Sequence, residues 1–287
     1  MLDDEGLDIT KRGIRYWKEK DGEHTAIDLV VNSSLGLIYT NIQGLDEYTL
    51  YYYQAYVIIS EATWFGDIMS FRTGGSITDV DGNTYYSILL GNQEWLAQNL
   101  KVTKYRNGDL IHTGHNDNDW RKITEGSYSI YPTEVKDALG GEKEKNMKDI
   151  YGLLYNYYAI VDQRGLCPLG WRVPRHSEWE TLRDFIGVNN TGGKLKSTRV
   201  TPDDHPRWSY PNVQATDQVG FGGHPAGLRA NHGIYDDLGR KAYWWTRTSS
   251  IESVSSAHFV RINQENGFLI FGIQNKNNGF SVRCIKD

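Results

Sequence analysis

Apolar and polar positions alternate at period two through much of the N-terminal quarter of the chain. Gly13–Trp17 is one apolar-aromatic run, Ile27–Val31 alternates, and Leu37–Ile42 forms a third run. In the stretch GLDEYTLYYYQAYVII, Tyr51, Tyr53, Ala55 and Val57 fall on one face of a strand. Tyr52, Gln54, Tyr56 and Ile58 fall on the other, as the pleat requires. Ile68–Thr73 closes the series. Short strands with turns between them predict an all-β sandwich of the immunoglobulin kind over residues 1–74. Gly74-Gly75 marks a joint and Asp81-Gly82 a tight turn, so a second domain is expected over residues 77–287. Thr84–Leu90 alternates, with Tyr86, Ile88 and Leu90 on one face. Gly91-Asn92 is a two-residue hairpin signal, and Gln93–Ala97 is the return strand.

Past that hairpin the period changes. Residues 101–149 are polar and irregular, a loop of a length that serves function or mobility. In DIYGLLYNYYAIVD, Leu154, Tyr158 and Val161 recur at three- and four-residue steps and predict a helix. LCPLGWRVPRHSEWETL predicts a short extended segment and a second helix. Trp179, Leu182 and Ile186 line one face of that helix, and Gly187 stops it. KAYWWTRTSS, SAHFVRIN, GFLIFGIQ and GFSVRCIKD read as strands. The second domain is therefore α+β.

Composition narrows the function classes. The 287 residues are 39% hydrophobic and 23% charged, a globular balance. A formal charge of −5 gives no preference for nucleic acid or an anionic membrane. No run of 18 apolar residues exists, so no membrane-spanning segment is expected. No signal-peptide pattern opens the chain, which suits either a cytosolic protein or a trimmed mature fragment. Tyrosine (19) and tryptophan (9) are abundant beside 30 glycines, a mixture suited to many short strands and turns.

Two resemblances sharpen the expectation. The pattern Leu45–Thr49–Tyr51 resembles the entry to the sixth strand of fibronectin type III domains, where a tyrosine hydroxyl caps the corner. Glu47 stands where that family usually has proline, and Gln54 where bacterial surface versions often have arginine. The second resemblance rests on six ordered blocks. They are DVDGNTYYSILLGNQEWLAQNLKVTKYRNGD, YGLLYNYYAIV, LCPLGWRVPRHSEWETL, GGKLKS, YWWTRTSS and GFSVRCIKD. Together they resemble the Fibrobacter succinogenes major paralogous domain, common on Bacteroidetes surface proteins. That family is similar to the C-type-lectin-like fold of the sulfatase-modifying enzymes. The resemblance implies a fibronectin III-like sandwich followed by a C-type-lectin-like domain. Arg175 replaces a threonine that would cap the second helix and pair with Glu178, so the cap must come from another group.

The resemblance also frames the chemistry. The related enzymes depend on a reactive cysteine pair late in the chain, whereas here Cys284 stands alone and its only partner is Cys167. In that fold the first helix and last strand lie side by side. The expectation is a structural disulfide, or two neighbouring buried thiols, rather than a catalytic thiol. A bond would close a long loop, worth about 4–5 kcal/mol in the chain-entropy model. His112 and His115, followed by Asp117 and Asp119, have ligand spacing for zinc or nickel, but a polar loop makes the same pattern without metal. Asp79, Asp81 and Asn83 look like the start of a calcium loop, yet lack its downstream Gly and Glu, so a turn is expected. The sugar-binding triplets of calcium-dependent lectins do not occur, and neither does a nucleophile elbow or a phosphate loop. His176-Ser177 are adjacent on a helix and point apart, and Asp203-Asp204 and Asp236-Asp237 read as turns.

No catalytic residue and no cofactor are therefore expected. The long loops should carry recognition. A shallow groove lined by Trp208, Tyr210, Arg229, Asn231 and Tyr235 is the expected ligand site, with Trp120, Tyr128, His224 and His232 in the same loop regions. Aromatic platforms suit sugar rings, and Arg and Asn orient by hydrogen bonds. The expected function is an extracellular or cell-surface adhesion protein, exported and lipid-anchored in a full precursor, that binds a glycan or a host or cell-surface protein. A structural subunit of a surface stalk or fimbria is the alternative, and an enzyme of the sulfatase-modifying type a further one. The missing late cysteine pair argues against the last.

Overall fold

The computed structural model describes residues 9–31, 40, 42–132, 147–201, 203 and 205–287. The chain divides into two compact units, Met1–Gly75 and Ser76–Asp287. Strands dominate both.

The first unit is an antiparallel sheet of β1 (Ile9–Lys18), β2 (Ile27–Val30), β3 (Leu50–Ile59), β4 (Ala62–Phe65) and β5 (Met69–Thr78). β1 pairs with β2 and β3, and β3 takes β5 along its first half and β4 along its second. Gly13 is required here, because a Cβ would lie 2.0 Å from the Leu29 carbonyl oxygen. The core is aromatic. Tyr16, Trp17, Tyr51 and Tyr56 are buried, and the Tyr51 ring stacks on Phe71 at 5.6 Å. Burial changes face along β3, from Tyr51 early in the strand to Gln54 and Tyr56 later, while Ala55 is exposed. One face therefore does not stay inside as strict alternation predicts. The Tyr51 hydroxyl accepts from the Asp46 backbone N–H at 2.9 Å. Of the predicted run 37–42, residues 37–39 and 41 lie outside the described residues, and residues 40 and 42 are not strand.

In the second unit, β6 (Thr84–Leu90) and β7 (Gln93–Leu96) form the predicted hairpin. Tyr86 is 63% exposed, and its neighbours Tyr85 and Ser87 are buried instead. The face assigned to Tyr86 is corrected accordingly. Further along come α1 (Asp117–Lys122), β8 (Tyr128–Ser129), α2 (Met147–Tyr151), β9 (Leu154–Tyr155), α3 (Tyr157–Val161), β10 (Trp171–Arg172), α4 (His176–Ile186) and α5 (Thr191–Leu195). The single helix expected across residues 149–162 is thus two short helices around a strand. Gly152 breaks it with φ +81°, in a place where a Cβ would meet the Leu100 carbonyl oxygen at 2.8 Å. Leu153 N then donates to Leu100 O and Tyr155 N to Phe280 O, so tertiary pairing replaces helical hydrogen bonds.

The last third supplies β11 (Ala226–Arg229), β12 (Tyr235–Leu238), β13 (Lys241–Ser249), β14 (Ser256–Asn263), β15 (Ile270–Asn275) and β16 (Ile285–Lys286). Five of them form a sheet in the order β12-β11-β13-β14-β15. The C-terminal β16 pairs with β10 and with β7, at Ile285 opposite Trp95, so the chain end is sewn to the first hairpin. β13 divides the core in two. Tyr243 and Trp245 face one cluster with Tyr155, Phe280 and both cysteines. Trp244 faces the other, with Trp95, Trp179, Leu182 and Phe221. Both tryptophans are fully buried, so neither reaches a ligand.

A disulfide and three sets of polar contacts lock this frame. Cys167 and Cys284 are bonded, closing a separation of 117 residues. Glu178 accepts from the Arg175 backbone N–H at 2.7 Å and is gripped by both Arg172 guanidinium ends at 2.6 and 2.7 Å. The Arg175 side chain has no acceptor and cannot cap as a threonine would; the first helical N–H, of His176, donates to the Thr248 hydroxyl at 3.0 Å. Lys196 is fully buried, and its ammonium donates to the Val213, Asn263 and Asn266 carbonyls. Burial lowers its pKa to about 8. Among the described residues, no helix is long and apolar enough to cross a membrane.

Candidate functional site

The five-stranded sheet carries a cavity of about 280 Å³ on the face that bears Tyr243 and Phe259. Strand register builds it. Tyr243 of β13 lies opposite Arg261 of β14, and Phe259 lies opposite Gly272 of β15. A Cβ at Gly272 would come within 2.7 Å of the Phe259 ring, so this glycine gives the ring its place. Phe259, Phe280 and Leu228 make an apolar floor, and Asn231, His232, Gln274 and Arg261 supply polar walls.

The wall carrying Asn231 and His232 is a tight turn closed by Ala230 N to Ile234 O and Gly233 N to Ala230 O, both 2.8 Å. Arg229 holds it from behind. Its guanidinium lies over the Trp120 ring at 4.4 Å and the Tyr235 ring at 5.0 Å. It donates to the Gly233 and His115 carbonyls and pairs with Asp117 at 3.2 Å. Asn278 fixes the other wall. Its Oδ1 accepts from Asn231 N at 2.6 Å and its Nδ2 donates to Gln274 Oε1 at 3.3 Å. The Gln274 amide group is thereby turned to donate.

Below the rim, the Tyr243 hydroxyl donates to Asp237 at 2.7 Å. Burial raises its pKa first, and the Asp237 carboxylate raises it further. Arg261 reaches the same hydroxyl, and its Nε is buried with no hydrogen-bond partner. A buried donor left unsatisfied costs on the order of 1–3 kcal/mol. Asp236 and Asp237 are held by Arg240 and Lys241 at 2.7–3.3 Å.

The residues expected to share one groove are dispersed. Asn231 lines the cavity. Arg229 is 4% exposed and acts as the wall's support. Tyr235 is half-buried against Tyr131 at 5.1 Å. Tyr210 is 80% exposed and is not among the cavity's lining residues. Trp208 is fully buried, with its indole N–H donating to Gly223 O at 3.1 Å. It is a core residue, and the expected platform is corrected on that ground. Trp120 and Tyr128 are buried too; the irregular loops use their aromatics to hold themselves down. Phe259, Arg261 and Gln274 were not singled out from the sequence. The available signal was an arginine at an inward position of SAHFVRIN, on the same face as Ala257 and Phe259.

The metal candidates do not converge. Asp117 is spent on Arg229. His115 lies against Trp120 and Ser127, and burial lowers its pKa, as does His112 to a smaller extent. His112 is exposed beside Glu125. Among the described residues, no group of three or more His, Cys, Asp or Glu could hold a metal ion. Asp79 accepts from Asp81 N, Asn83 and the Tyr85 hydroxyl, so its carboxylate closes a turn. Asp237, expected in a turn, lies in β12, and residue 204 lies outside the described residues.

A second concavity, of about 340 Å³, lies between Tyr85, Asn99, Tyr151 and His224. Its polar groups are engaged with the protein. The Asn99 amide donates to Tyr151 O, and its oxygen accepts from Trp244 and Arg283. His224 Nδ1 meets the Ser197 hydroxyl at 3.0 Å. Burial, with Arg283 adding to it, brings that imidazole down to about 3. So weak a base does not activate a hydroxyl at neutral pH.

The sequence model of the Fibrobacter succinogenes major domain matches residues 88–286. The chain belongs to that family. No curated protein and no solved structure matches it. The Fibrobacter succinogenes major domain here contains the hairpin return β7, the disulfide, the whole sheet-face cavity and both core clusters except Tyr85 of the first. That cavity therefore lies within the matched region, and the sheet of β1–β5 lies outside the match.

Proposed function

We propose that this chain is a binding protein of the cell surface whose family domain recognises a glycan or protein ligand in the sheet-face cavity, without chemical turnover. One observation carries the reading. An apolar floor is ringed by side-chain donors held in place from behind, and Arg261 Nε has no hydrogen-bond partner among the described residues. Concave sites with an apolar body and a few placed polar groups are how small ligand units are held. The disulfide supports an oxidising compartment and so export.

In this reading the second unit is C-type-lectin-like. The pairing of the C-terminal strand with the first hairpin, the helix α4 and the irregular loops around a central sheet support it. The first unit is a fibronectin III-like spacer, supported by the Tyr51 hydroxyl at its corner. The weak Ser197–His224 pair gives no support to hydrolysis. The test is a glycan array run beside a panel of extracellular-matrix proteins. It is probed with the wild type and with the double variant Asn231→Ala/Gln274→Ala. A ligand found with the wild type and lost with the variant, at equal melting temperature, supports the reading. Undiminished binding by the variant refutes it.

A further inference from the structure

We infer that the ligand unit held in the sheet-face cavity is an acidic sugar, with its carboxylate on Arg261. The inference rests on reading this cavity as a binding site and adds the charge and class of what fills it.

Charge around the cavity is unbalanced. Two carboxylates stand near it, Asp236 and Asp237, and Arg240 and Lys241 already hold them. Arg261 is the third cation. Among the described residues it has no ion pair, and its protein contact is the Tyr243 hydroxyl. Of the lining residues, Asp236 is thus paired with Arg240, and Arg261 is left as the lining charge without an ion pair among the described residues. A guanidinium matches a carboxylate with two parallel N–H···O bonds, which a neutral hydroxyl does not accept.

The other groups favour a saccharide over a peptide. Gln274 donates because Asn278 holds its oxygen, and among the described residues the Asn231 side-chain amide makes no hydrogen bond, while its backbone N–H is taken by Asn278. Donors spaced around a small basin suit hydroxyl and ring oxygens. The volume, about 280 Å³, fits one small unit. An extended peptide needs a strand edge or a long groove, and this basin lies on the face of the sheet.

The test uses the full chain and isothermal titration with three probes: trigalacturonate, its methyl ester, and a hexaglutamate peptide. The expected result is that trigalacturonate binds at least ten-fold tighter than the ester and than the peptide. Arg261→Gln should lose that ten-fold preference for the acid over the ester. If Arg261→Gln fails to fold, the acid-to-ester ratio on the wild type decides alone. Equal affinity for acid and ester overturns the inference, as does preference for hexaglutamate. Should none of the three bind while the array ligand remains sensitive to Asn231→Ala/Gln274→Ala, the inference falls and the cavity stands. Should the array ligand be insensitive to that variant, both fall.

Discussion

Trp208→Ala separates the core from the recognition surface. The ring is fully buried, its N–H donates to Gly223 O at 3.1 Å, and the Lys196 ammonium lies 5.6 Å from its centroid. Truncating a buried tryptophan costs about 3–5 kcal/mol in lost contacts and residual cavity. The stranded Gly223 carbonyl keeps the figure toward the upper end, because an orphaned buried acceptor costs about 1–3 kcal/mol itself. For a unit of this size each kcal/mol lowers the melting temperature by about 2–4 °C, so a fall of roughly 6–20 °C is expected. Trp208 does not line the sheet-face cavity, and affinity measured at low temperature, where the variant is folded, should stay within about two-fold of wild type. Urea unfolding with a constant slope and a lowered midpoint checks the first part, and titration with the array ligand the second. A melting temperature within 2 °C of wild type together with abolished binding would refute the reasoning, because the ring would then be a surface platform.

Three further outcomes are expected. Native protein should show no alkylatable thiol by mass spectrometry, and reduction or Cys284→Ser should lower stability by up to about 4–5 kcal/mol, the loop-closure value for 117 residues. His224 is lowered to about 3, below its unfolded value of 6.5, so its contribution is present above pH 6.5 and is lost as pH falls toward 3. Relative to His224→Gln, the wild type should lose up to about 2 kcal/mol between pH 6.5 and 5 by urea unfolding, and a flat difference would contradict the burial. Limited proteolysis should leave a stable fragment beginning near Ser76, the start of the second unit; joint loss of both units at one rate would contradict their independence.

Much of the frame was legible because it depends on local rules. Gly91-Asn92 fixed the first hairpin. The three-four spacing of Trp179, Leu182 and Ile186 gave α4, which ends at Gly187 with φ +97°. The segments of β13 to β15 read as strands, and two cysteines left one pairing. The misses share a cause, which is tertiary demand on residues whose local signal said otherwise. The periodic run across Leu154 and Val161 is helical in pattern, but Gly152 and the hydrogen bonds to Leu100 and Phe280 split it. Trp208 and Arg229 look like loop recognition residues, yet one carries its loop into the core and the other braces a wall from behind. The cavity residues Phe259 and Arg261 were hidden inside a strand that reads as plain core. Only the register against Tyr243 and Gly272 brings them to one basin.

The most direct measurement is an NMR titration of the labelled protein with the ligand found on the array, following the Arg261 Nε–H signal and the Asn231 and Gln274 side-chain amides. The account predicts saturating shifts at these three groups and none at Tyr210 or the Trp120 indole. Shifts clustered at Tyr210, with the three cavity groups unmoved, would contradict it.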